Sequence, residues 1–405
     1  MNPPIRAETD WRAVLAAALC GVAVAINVGK VPIAMAALRE EFALSLVAAG
    51  WVSSMINTIA VSIAILFGIL GDRLGALRMC FGGLAMSIVG GIVGLLAGNE
   101  TVLLASRFLE GAGVVSVAVS APALLTSATA PKDRRFALGI WSSYLPAGVG
   151  LVMLLAPLVV PMGSWRGLWL LTLGMLLLAT VALWRSRPAY RIAAPGGHDP
   201  HPVVAARQAL GQPEPWLLAS AMTSWTLQHY ALIIWLPTFL REQRDLAAPT
   251  VALLSCLMVL ANVPGNLLGG SLLQRHFHRG NLIVAANVVT GLCSLGIFLD
   301  ALPDLVRYAL CVLLSFTGGL VPASVLSSSA SYARTSKQIG TLQGLYMQFG
   351  NIGPFIGPPL IAMLVAASGR WHDAMYITGG AALGGIGLGL LIRKREMKAA
   401  GATRA

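Results

Sequence analysis

The sequence predicts an all-α membrane protein with twelve transmembrane helices in two pseudo-symmetric six-helix bundles, and three observations support this fold class. Between Trp11 and Arg393 the chain contains about twelve apolar blocks of roughly twenty residues, the helix length that a bilayer core about 30 Å thick requires. The chain is 57% hydrophobic and 11% charged, whereas soluble domains carry about 25% charged residues. One long polar segment separates six of the blocks from the other six.

Each apolar block is expected to be a helix, because an open strand would leave its backbone polar groups without partners in hydrocarbon. Hydropathy places the twelve helices at 13–37, 46–70, 79–98, 101–126, 134–160, 166–185, 214–240, 248–273, 281–300, 304–331, 338–366 and 371–392.

The basic residues predict how these helices are oriented. Segments on the side of the chain termini hold twenty of the 28 Lys and Arg residues, the opposite side holds six, and Lys30 and Arg107 lie within the membrane. Because Lys and Arg concentrate in cytoplasmic loops, we expect a protein of the cell inner membrane with both termini in the cytoplasm. The net charge of +12 is spread over short clusters, which favours an anionic lipid surface over nucleic acid as partner.

The polar segment 186–213 divides the chain. It contains five prolines and three arginines, a composition that disfavours a packed core. We therefore expect an N-terminal six-helix bundle in 1–185, a cytoplasmic linker in 186–213 and a C-terminal six-helix bundle in 214–405.

The two predicted bundles resemble each other in sequence. Gly68–Arg73 matches Gly270–Arg275 at an offset of 202, because each segment begins with Gly and ends with Arg. At an offset of 201, two further positions match, Gly139 and Pro157 with Gly340 and Pro358. Two similar bundles can rock about a site at their interface and open that site to each side of the membrane in turn.

The turn between the second and third helices is predicted to be a cytoplasmic gate. Its candidate residues are Gly68, Asp72, Arg73, Gly75 and Arg78. Asp72 could accept hydrogen bonds from a neighbouring helix N-terminus in one state and release them in the other, and such contacts contribute about 0.3–2 kcal/mol each. The alternative is a solvated turn that only fixes the topology.

This turn resembles the signature turn of the major facilitator superfamily, although Leu77 occupies one position that is usually basic. Leu103–Gly113 is similar to that family's helix 4 motif. The resemblance covers essentially the whole chain and implies twelve helices in two bundles that alternate access to a central site. Within the superfamily, the chain is similar to the branch of cyanate and nitroimidazole permeases, including at Pro32 in the first helix and at Trp235–Pro237 in the seventh. Ala156-Pro157 departs from the Gly-Pro motif of the family's drug antiporters.

Lys30 is the main candidate for binding substrate. It lies within the first helix, with Asn27 one turn earlier on the same face. A cation inside the membrane costs at least about 2.5–3.5 kcal/mol, so it is expected to face a wet cavity or a charged partner. We interpret Lys30 as a receptor for a carboxylate, cyanate-like or other small anionic group. A structural salt bridge and a side chain that extends outward to the membrane surface are the alternatives.

Arg107 and Glu110 lie three residues apart and share one face of the fourth helix. They can pair with each other, and with Lys30 if the first and fourth helices are neighbours, as the family fold implies. Two cations and one carboxylate then carry a net charge of +1, which would attract an anion. Glu110 is the leading candidate for carrying a coupled proton, and a permanent ion pair is the alternative.

Further candidates for the substrate pocket lie on three helices. The seventh helix contributes Gln228, His229 and Tyr230, and His229 is a second candidate for proton coupling. The fifth and eleventh helices occupy equivalent positions in the two halves, and they contribute Trp141, Tyr144, Gln343, Tyr346 and Asn351. The alternative for all of these polar groups is hydrogen bonding that holds the helices together.

The sequence predicts a secondary active transporter, and not an enzyme, for a small organic or inorganic anion. It has no nucleophile-elbow, zinc-protease, P-loop or dinucleotide motif. Its five cysteines have no CxxC spacing, so neither a metal site nor a cofactor is expected. We expect a monomer that exchanges a small solute, with protons as a candidate coupling ion. Drug or metabolite efflux by the same fold is one alternative, and a membrane sensor or enzyme without translocation is another.

Overall fold

A computed structural model describes residues 8–133, 137, 140–141, 143–190, 202–242, 244–299, 301–333 and 336–402. Ten of the described helices are long and apolar enough to cross a membrane. Tyr144–Val160 is a shorter apolar helix, and Pro213–Glu242 is a 30-residue helix with polar residues at its centre. Together these correspond to the twelve predicted blocks, so the predicted fold class is confirmed.

Within its described residues, the N-terminal half has six α-helices with given bounds, and the last of these contains two membrane-crossing arms. At Ser164 the backbone φ is 57°, and the chain turns there between Tyr144–Val160 and the arm that begins at Ser164. The elements are α1 (Trp11–Glu41), α2 (Leu46–Ser54), α3 (Thr58–Leu74), α4 (Ala76–Leu95), α5 (Glu100–Ser127) and α6 (Tyr144–Ser186).

The C-terminal half begins after a short helix within the predicted linker, α7 (Pro202–Leu210). Several of its membrane-crossing helices are divided into two pieces. The elements are α8 (Pro213–Glu242), α9 (Ala248–Leu260), α10 (Asn262–Gln274), α11 (Arg279–Ile297), α12 (Asp304–Gly318), α13 (Leu320–Leu326), α14 (Ser329–Tyr332), α15 (Ser336–Gly350), α16 (Ile352–Ser368) and α17 (Ala374–Ala402).

Polar residues begin three of the N-terminal helices. The side chains of Asp10, Ser45 and Asn99 each accept a hydrogen bond from the backbone N–H three residues later, at 3.1, 3.1 and 3.0 Å. This pairs one of the four N–H groups that a helix leaves without an internal partner at its start. The positions of these helix starts are therefore fixed by local sequence.

Helix breaks within the membrane differ from the continuous spans that hydropathy predicts. A 3-10 turn at Met55–Asn57 separates α2 from α3, and Ala261 separates α9 from α10. Close packing accompanies the first break, because a Cβ on Gly111 of α5 would lie 2.0 Å from the carbonyl oxygen of Ile56. Hydropathy cannot reveal such a contact, since both sides of the break are equally apolar.

The two halves contact each other along several helix pairs. We call the face at which α1 begins and α17 ends the terminal face, and the opposite face the distal face. The Ser54 hydroxyl of α2 donates to the Pro354 carbonyl of α16 at 3.1 Å, and the Cys256 thiol of α9 donates to the Gly150 carbonyl of α6 at 3.4 Å. Small groups and backbone carbonyls therefore form much of this interface.

The predicted gate turn lies between α3 and α4. Gly75 is the single residue between the two helices, with φ 86° and ψ 141°, a region that favours glycine. Gly68 lies within α3, and Arg78 is exposed in the first turn of α4. The side chains of Asp72 and Arg73 lie outside the described residues, so the proposed gate contact stays a prediction. Gly139, one of the repeat matches, also lies outside them.

The close approach of α5 to the break in the second membrane-crossing helix is testable by substitution. Gly111→Ala should destabilise the protein by about 1–3 kcal/mol, the usual cost of overpacking, because the added methyl group would overlap the Ile56 carbonyl. Gly174→Ala is the matched control, since a Cβ there meets no atom within 4 Å. Thermal unfolding in detergent measures both, and equal melting temperatures for the two variants would contradict the packing argument.

Candidate functional site: a buried ion cluster in the N-terminal half

Three charged side chains meet inside the N-terminal half. The Lys30 Nζ of α1 lies 2.6 Å from Glu110 Oε1 of α5, and Arg107 Nη1 pairs with Glu110 Oε2 one turn away. All three residues have no exposed surface. The pairing that the sequence predicted for neighbouring first and fourth helices is therefore present, and we call these three residues the ion cluster.

Polar and aromatic neighbours hold the ion cluster in place. Lys30 Nζ also donates to Asn27 Oδ1 at 2.8 Å and lies 4.2 Å from the centroid of the Trp169 ring of α6. Arg107 Nε donates to the Val52 carbonyl of α2 at 3.3 Å. Residues from α1, α2, α5 and α6 thus contribute to one site. The attraction between a cation and the indole face adds to the ion pairs.

Small residues allow the surrounding helices to approach Glu110. A Cβ on Gly90 of α4 would lie 2.8 Å from the Glu110 backbone nitrogen, so α4 packs directly against α5 at this level. The ion cluster therefore lies among α1, α4, α5 and α6. This is the interior of the N-terminal half, where lipid does not reach the charges.

The ion cluster carries one more positive charge than negative charge. Three buried N–H groups in or beside it, Asn27 Nδ2, Arg107 Nη2 and Trp169 Nε1, have no hydrogen-bond partner among the described residues. An uncompensated charge in a low-dielectric interior costs several kcal/mol, and each unmade buried hydrogen bond costs about 1–3 kcal/mol. Additional negative charge nearby would lower both costs.

The candidates on the seventh predicted helix lie in a polar network inside the C-terminal half. Gln228 Nε2 of α8 donates to Asn287 Oδ1 of α11 at 3.1 Å. The His229 ring lies 2.9 Å from the Ser315 hydroxyl of α12 and stacks on Trp225, with ring centroids 4.5 Å apart. Both side chains are buried. Their contacts hold α8 against its neighbours.

The candidates on the fifth and eleventh predicted helices also make contacts within their own halves. Trp141 stacks on Tyr144 at 4.3 Å between centroids. The Ser328 hydroxyl donates to the Tyr346 hydroxyl oxygen at 2.8 Å. Gln343 donates to Ser329 Oγ at 2.9 Å, and Asn351, which lies between α15 and α16, donates to the Met347 carbonyl at the end of α15, at 2.7 Å. Tyr230 is half-buried. The printed contacts of Trp141, Gln343, Tyr346 and Asn351 therefore lie within one half each, and the role of the pocket candidates in binding stays a prediction.

Sequence reasoning missed several residues of these networks. Trp169, Asn287 and Ser315 lie within apolar helices, and their types and spacing do not distinguish them from packing residues. It also missed the ion pair between Arg39 of α1 and Glu242 of α8, which joins the two halves at the distal face at 2.7 Å. An opposite charge at the end of each helix is a signal that could have indicated it.

The fold is that of a membrane transporter. The chain belongs to the Major Facilitator Superfamily, because the sequence profile of that family matches residues 17–346. The fold is similar to that of a bacterial homolog to the human lysosomal transporter Spinster. In the inward-facing, unoccupied conformation the TM-score is 0.80 at 15% identity, covering 96% of this chain and 98% of that chain. For the structure of the same homolog in the inward-facing, occupied conformation, the TM-score is 0.74 at 16% identity, and the match covers 94% of this chain and 96% of that chain.

Relatives of this chain include transporters of small solutes and efflux proteins. It is 26% identical to a probable sulfoacetate transporter, SauU, of Cupriavidus necator, over 88% of each chain. It is also 26% identical to a putative niacin/nicotinamide transporter, NiaP, of Bacillus subtilis, over 84% of this chain and 85% of that one. The multidrug efflux pump LfrA of Mycolicibacterium smegmatis is 25% identical over a match that spans 48% of this chain and 39% of the length of the pump.

Removing the shared carboxylate tests the balance of charge in the ion cluster. Glu110→Gln should destabilise the protein by about 3–5 kcal/mol, because it leaves two buried cations without a counter-charge. A second substitution, Lys30→Met, should recover part of this loss by removing one of them. Thermal unfolding in detergent measures both variants.

Glu41→Gln is the matched control for this experiment, since Glu41 also pairs with an arginine, at 2.8 Å, but is exposed. Exposed pairs contribute about 0–1 kcal/mol. A Glu110→Gln protein as stable as the Glu41→Gln protein would show that the buried charges do not depend on one another.

Proposed function

We propose that this transporter moves small organic anions across the cell inner membrane by alternating access. The observation that carries the proposal is the ion cluster, with two buried cations, one carboxylate and buried N–H groups that lack partners. An anionic group held near this cluster offsets its excess charge. The same excess opposes the entry of a cation, so it supplies selectivity by charge.

Two relatives support this class of substrate. Sulfoacetate carries a sulfonate and a carboxylate, and niacin carries a carboxylate, whereas nicotinamide, for which the second relative is also named, is a neutral amide. The match with the multidrug efflux pump spans less than half of this chain. The aromatic residues Trp141, Tyr144 and Tyr230 would then provide the walls of the pocket, and the N-terminal half would provide its charge.

Alternating access agrees with the contacts between the two halves. The Arg39–Glu242 ion pair joins the two halves at the distal face, and we assign that face to the outside because most Lys and Arg residues lie on the terminal side. Under this proposal the pair holds the outer side closed in the described state. Opening the outer side requires this pair to separate, at a cost of about 1 kcal/mol or less.

Protons are the proposed coupling ion, with Glu110 and His229 as candidate carriers. Glu110 is paired with both cations of the ion cluster. A proton that binds there must release an ion pair, and this release would link protonation to a rearrangement of α1 against α5. A pH gradient imposed on vesicles tests the coupling, and uptake that is indifferent to the gradient would remove both residues as carriers.

Transport by purified protein in vesicles tests the class of substrate. Labelled sulfoacetate and nicotinate should be taken up, and Lys30→Met should lower uptake at least about tenfold, the loss expected when about 1.4 kcal/mol of binding is removed. This variant retains the Arg107–Glu110 pair, so the protein should still fold. Its unfolding temperature should be reported beside its transport rate.

Arg166→Gln is the control variant, because Arg166 is also a cation of the N-terminal half but is exposed. Wild-type uptake of the two acids by Lys30→Met protein, together with transport of neutral or cationic compounds, would favour the efflux interpretation instead. Binding of either acid without any uptake would favour a sensor.

A reducible crosslink across the distal face tests alternating access. A direct disulfide needs Cα atoms within about 7 Å, closer than an Arg–Glu pair requires, so the Arg39→Cys with Glu242→Cys protein is treated with a bis-methanethiosulfonate reagent that spans the missing side chains. The resulting link between α1 and α8 should stop uptake because the outer side can no longer open. Reduction should restore it. Mass spectrometry and uptake before and after reduction provide the two measurements.

The matched control places the crosslink within one half. Arg395 and Glu214 form an ion pair of similar length, 2.9 Å, between α17 and α8. Arg395→Cys with Glu214→Cys should therefore crosslink without loss of uptake. If the Arg39–Glu242 crosslink also leaves uptake unchanged, opening of this face is not part of the transport cycle.

A further inference from the structure

A cavity of about 370 Å³ lies inside the C-terminal half near the distal face. The residues that line it belong to α8, α9, α11, α12, α16 and the start of α17, and to the turns beside them. It is therefore separate from the ion cluster of the N-terminal half. Protein interiors pack closely and leave few voids larger than a water molecule, so a cavity of this size is a candidate binding site.

The walls of the cavity are apolar and partly aromatic. Trp235 and Trp371 have ring centroids 5.7 Å apart, and Phe239 meets Trp371 edge-on at 6.4 Å. Deeper in the bundle the lining includes the small, buried side chains of Ala231 and Ala374, which leave the inner space open. Aromatic and aliphatic walls of this kind are typical of sites that bind the apolar part of a small molecule.

Polar side chains of the lining are already bonded within the protein. The Trp235 N–H, the Tyr308 hydroxyl and the Thr378 hydroxyl each donate to a backbone carbonyl, at 3.1, 2.9 and 3.2 Å. A buried water molecule needs two to four polar partners, and apolar cavities stay dry. Because these donors are engaged, the inner part of the cavity offers little to a polar solute or to water.

Charged residues lie at one end of the cavity, and they bind one another. Arg244 Nε lies 3.0 Å from Asp304 Oδ1, and Arg307 Nη1 lies 3.8 Å from the same oxygen. Arg307 Nε donates to the Ile297 carbonyl at 2.7 Å, and both arginines have further interactions within the protein. A charged ligand would have to compete with these partners, whereas an uncharged ligand leaves them in place.

The cavity opens at the membrane boundary. Leu305 lines the cavity and is 79% exposed, and the preceding residue, Asp304, is the first of a membrane-crossing helix. An apolar molecule dissolved in the bilayer could therefore enter beside Leu305 without passing through water.

We propose that this cavity binds an uncharged apolar molecule taken from the lipid phase and holds it among Trp235, Phe239 and Trp371. The cavity volume lies within the range of about 300–1,000 Å³ of small-molecule sites. An engineered apolar cavity of about 150 Å³ already holds benzene, and this one is more than twice as large. A free apolar compound and the acyl chain of a membrane lipid share the required chemistry. The proposal does not depend on which solute the protein transports.

Photolabelling of the full-length protein in phosphatidylcholine nanodiscs tests this site. The probe is an aryl diazirine with a hydroxymethyl group, which is uncharged and small enough to enter the cavity, and mass spectrometry maps the labelled residues. It should label the inner lining, at Cys311 or Thr378, and an excess of the same alcohol without the diazirine should prevent this labelling. Labelling confined to lipid-facing positions would overturn the proposal.

The carboxylate of the same aryl diazirine tests whether the occupant is uncharged. Labelling at Cys311 and Thr378 is divided by labelling at the lipid-exposed Leu383, so that the weaker partition of the carboxylate into the bilayer cancels. This ratio should be at least about tenfold lower for the carboxylate, because an apolar site takes up an unpaired charge only at a large cost. Equal ratios for the two probes would contradict an uncharged occupant.

Two substitutions fill the cavity from different helices. Ala374→Phe and Ala231→Leu should each abolish labelling of the inner lining by the alcohol probe, and the second remains informative if the first folds poorly. Leu383→Phe is the matched control, since it enlarges a lipid-exposed side chain of the same helix as Ala374 and should leave labelling unchanged. Full labelling of the inner lining in both filled variants would refute the site.

A phosphatidylcholine that carries the diazirine in its acyl chain distinguishes the two sources of the occupant. Labelling at Cys311 or Thr378 by this lipid would show that an acyl chain occupies the cavity. Labelling there by the aryl alcohol alone would show that a free apolar compound enters it instead. If neither probe reaches these residues, the proposal is wrong.

Discussion

The pairing of Glu110 with two cations is the interaction on which the N-terminal half depends. Three charges are removed from water in the interior of a lipid-embedded protein, and each would cost several kcal/mol if left alone. One carboxylate placed between α1 and α5 lowers that cost for both cations. Packing follows from this arrangement, because α4 must present Gly90 to Glu110 and α6 must present the Trp169 ring to Lys30. The cluster is therefore both a structural centre and the source of an unbalanced positive charge.

The two halves repeat the helical architecture but not its chemistry. At the centre of the C-terminal half the corresponding interactions are neutral, with Gln228 bonded to Asn287 and His229 to Ser315. Charged pairs of the C-terminal half lie instead nearer its two faces, as with Arg244–Asp304 and Arg395–Glu214. A duplicated scaffold of this kind can place a charged centre in one half and a neutral one in the other, since each needs only a few side chains on helices that packing already holds in place.

The contacts between the halves are suited to movement. Hydrogen bonds from Ser54 and Cys256 to backbone carbonyls, and the exposed Arg39–Glu242 pair, each contribute little. An exposed ion pair is worth about 0–1 kcal/mol, whereas removing one partner of a buried pair costs about 3–5 kcal/mol. Interactions within each half are thus stronger than those between halves. Under the proposed mechanism the halves can separate at one face while each keeps its internal structure.

The sequence by itself determined the class of fold and its number of helices, because the length of an apolar block and the cost of unpaired backbone groups in lipid allow few other structures. It also identified Lys30, Arg107 and Glu110, since charges within apolar helices stand out and a spacing of three places two of them on one face. Only the tertiary structure decided which helices are neighbours, and so brought Trp169 to Lys30 and joined Arg39 to Glu242. Helix breaks, the separation of Gln228, Gln343 and Tyr346 into local networks, and the cavity beside Phe239 depend on packing between distant segments, which the pattern within a single helix does not contain.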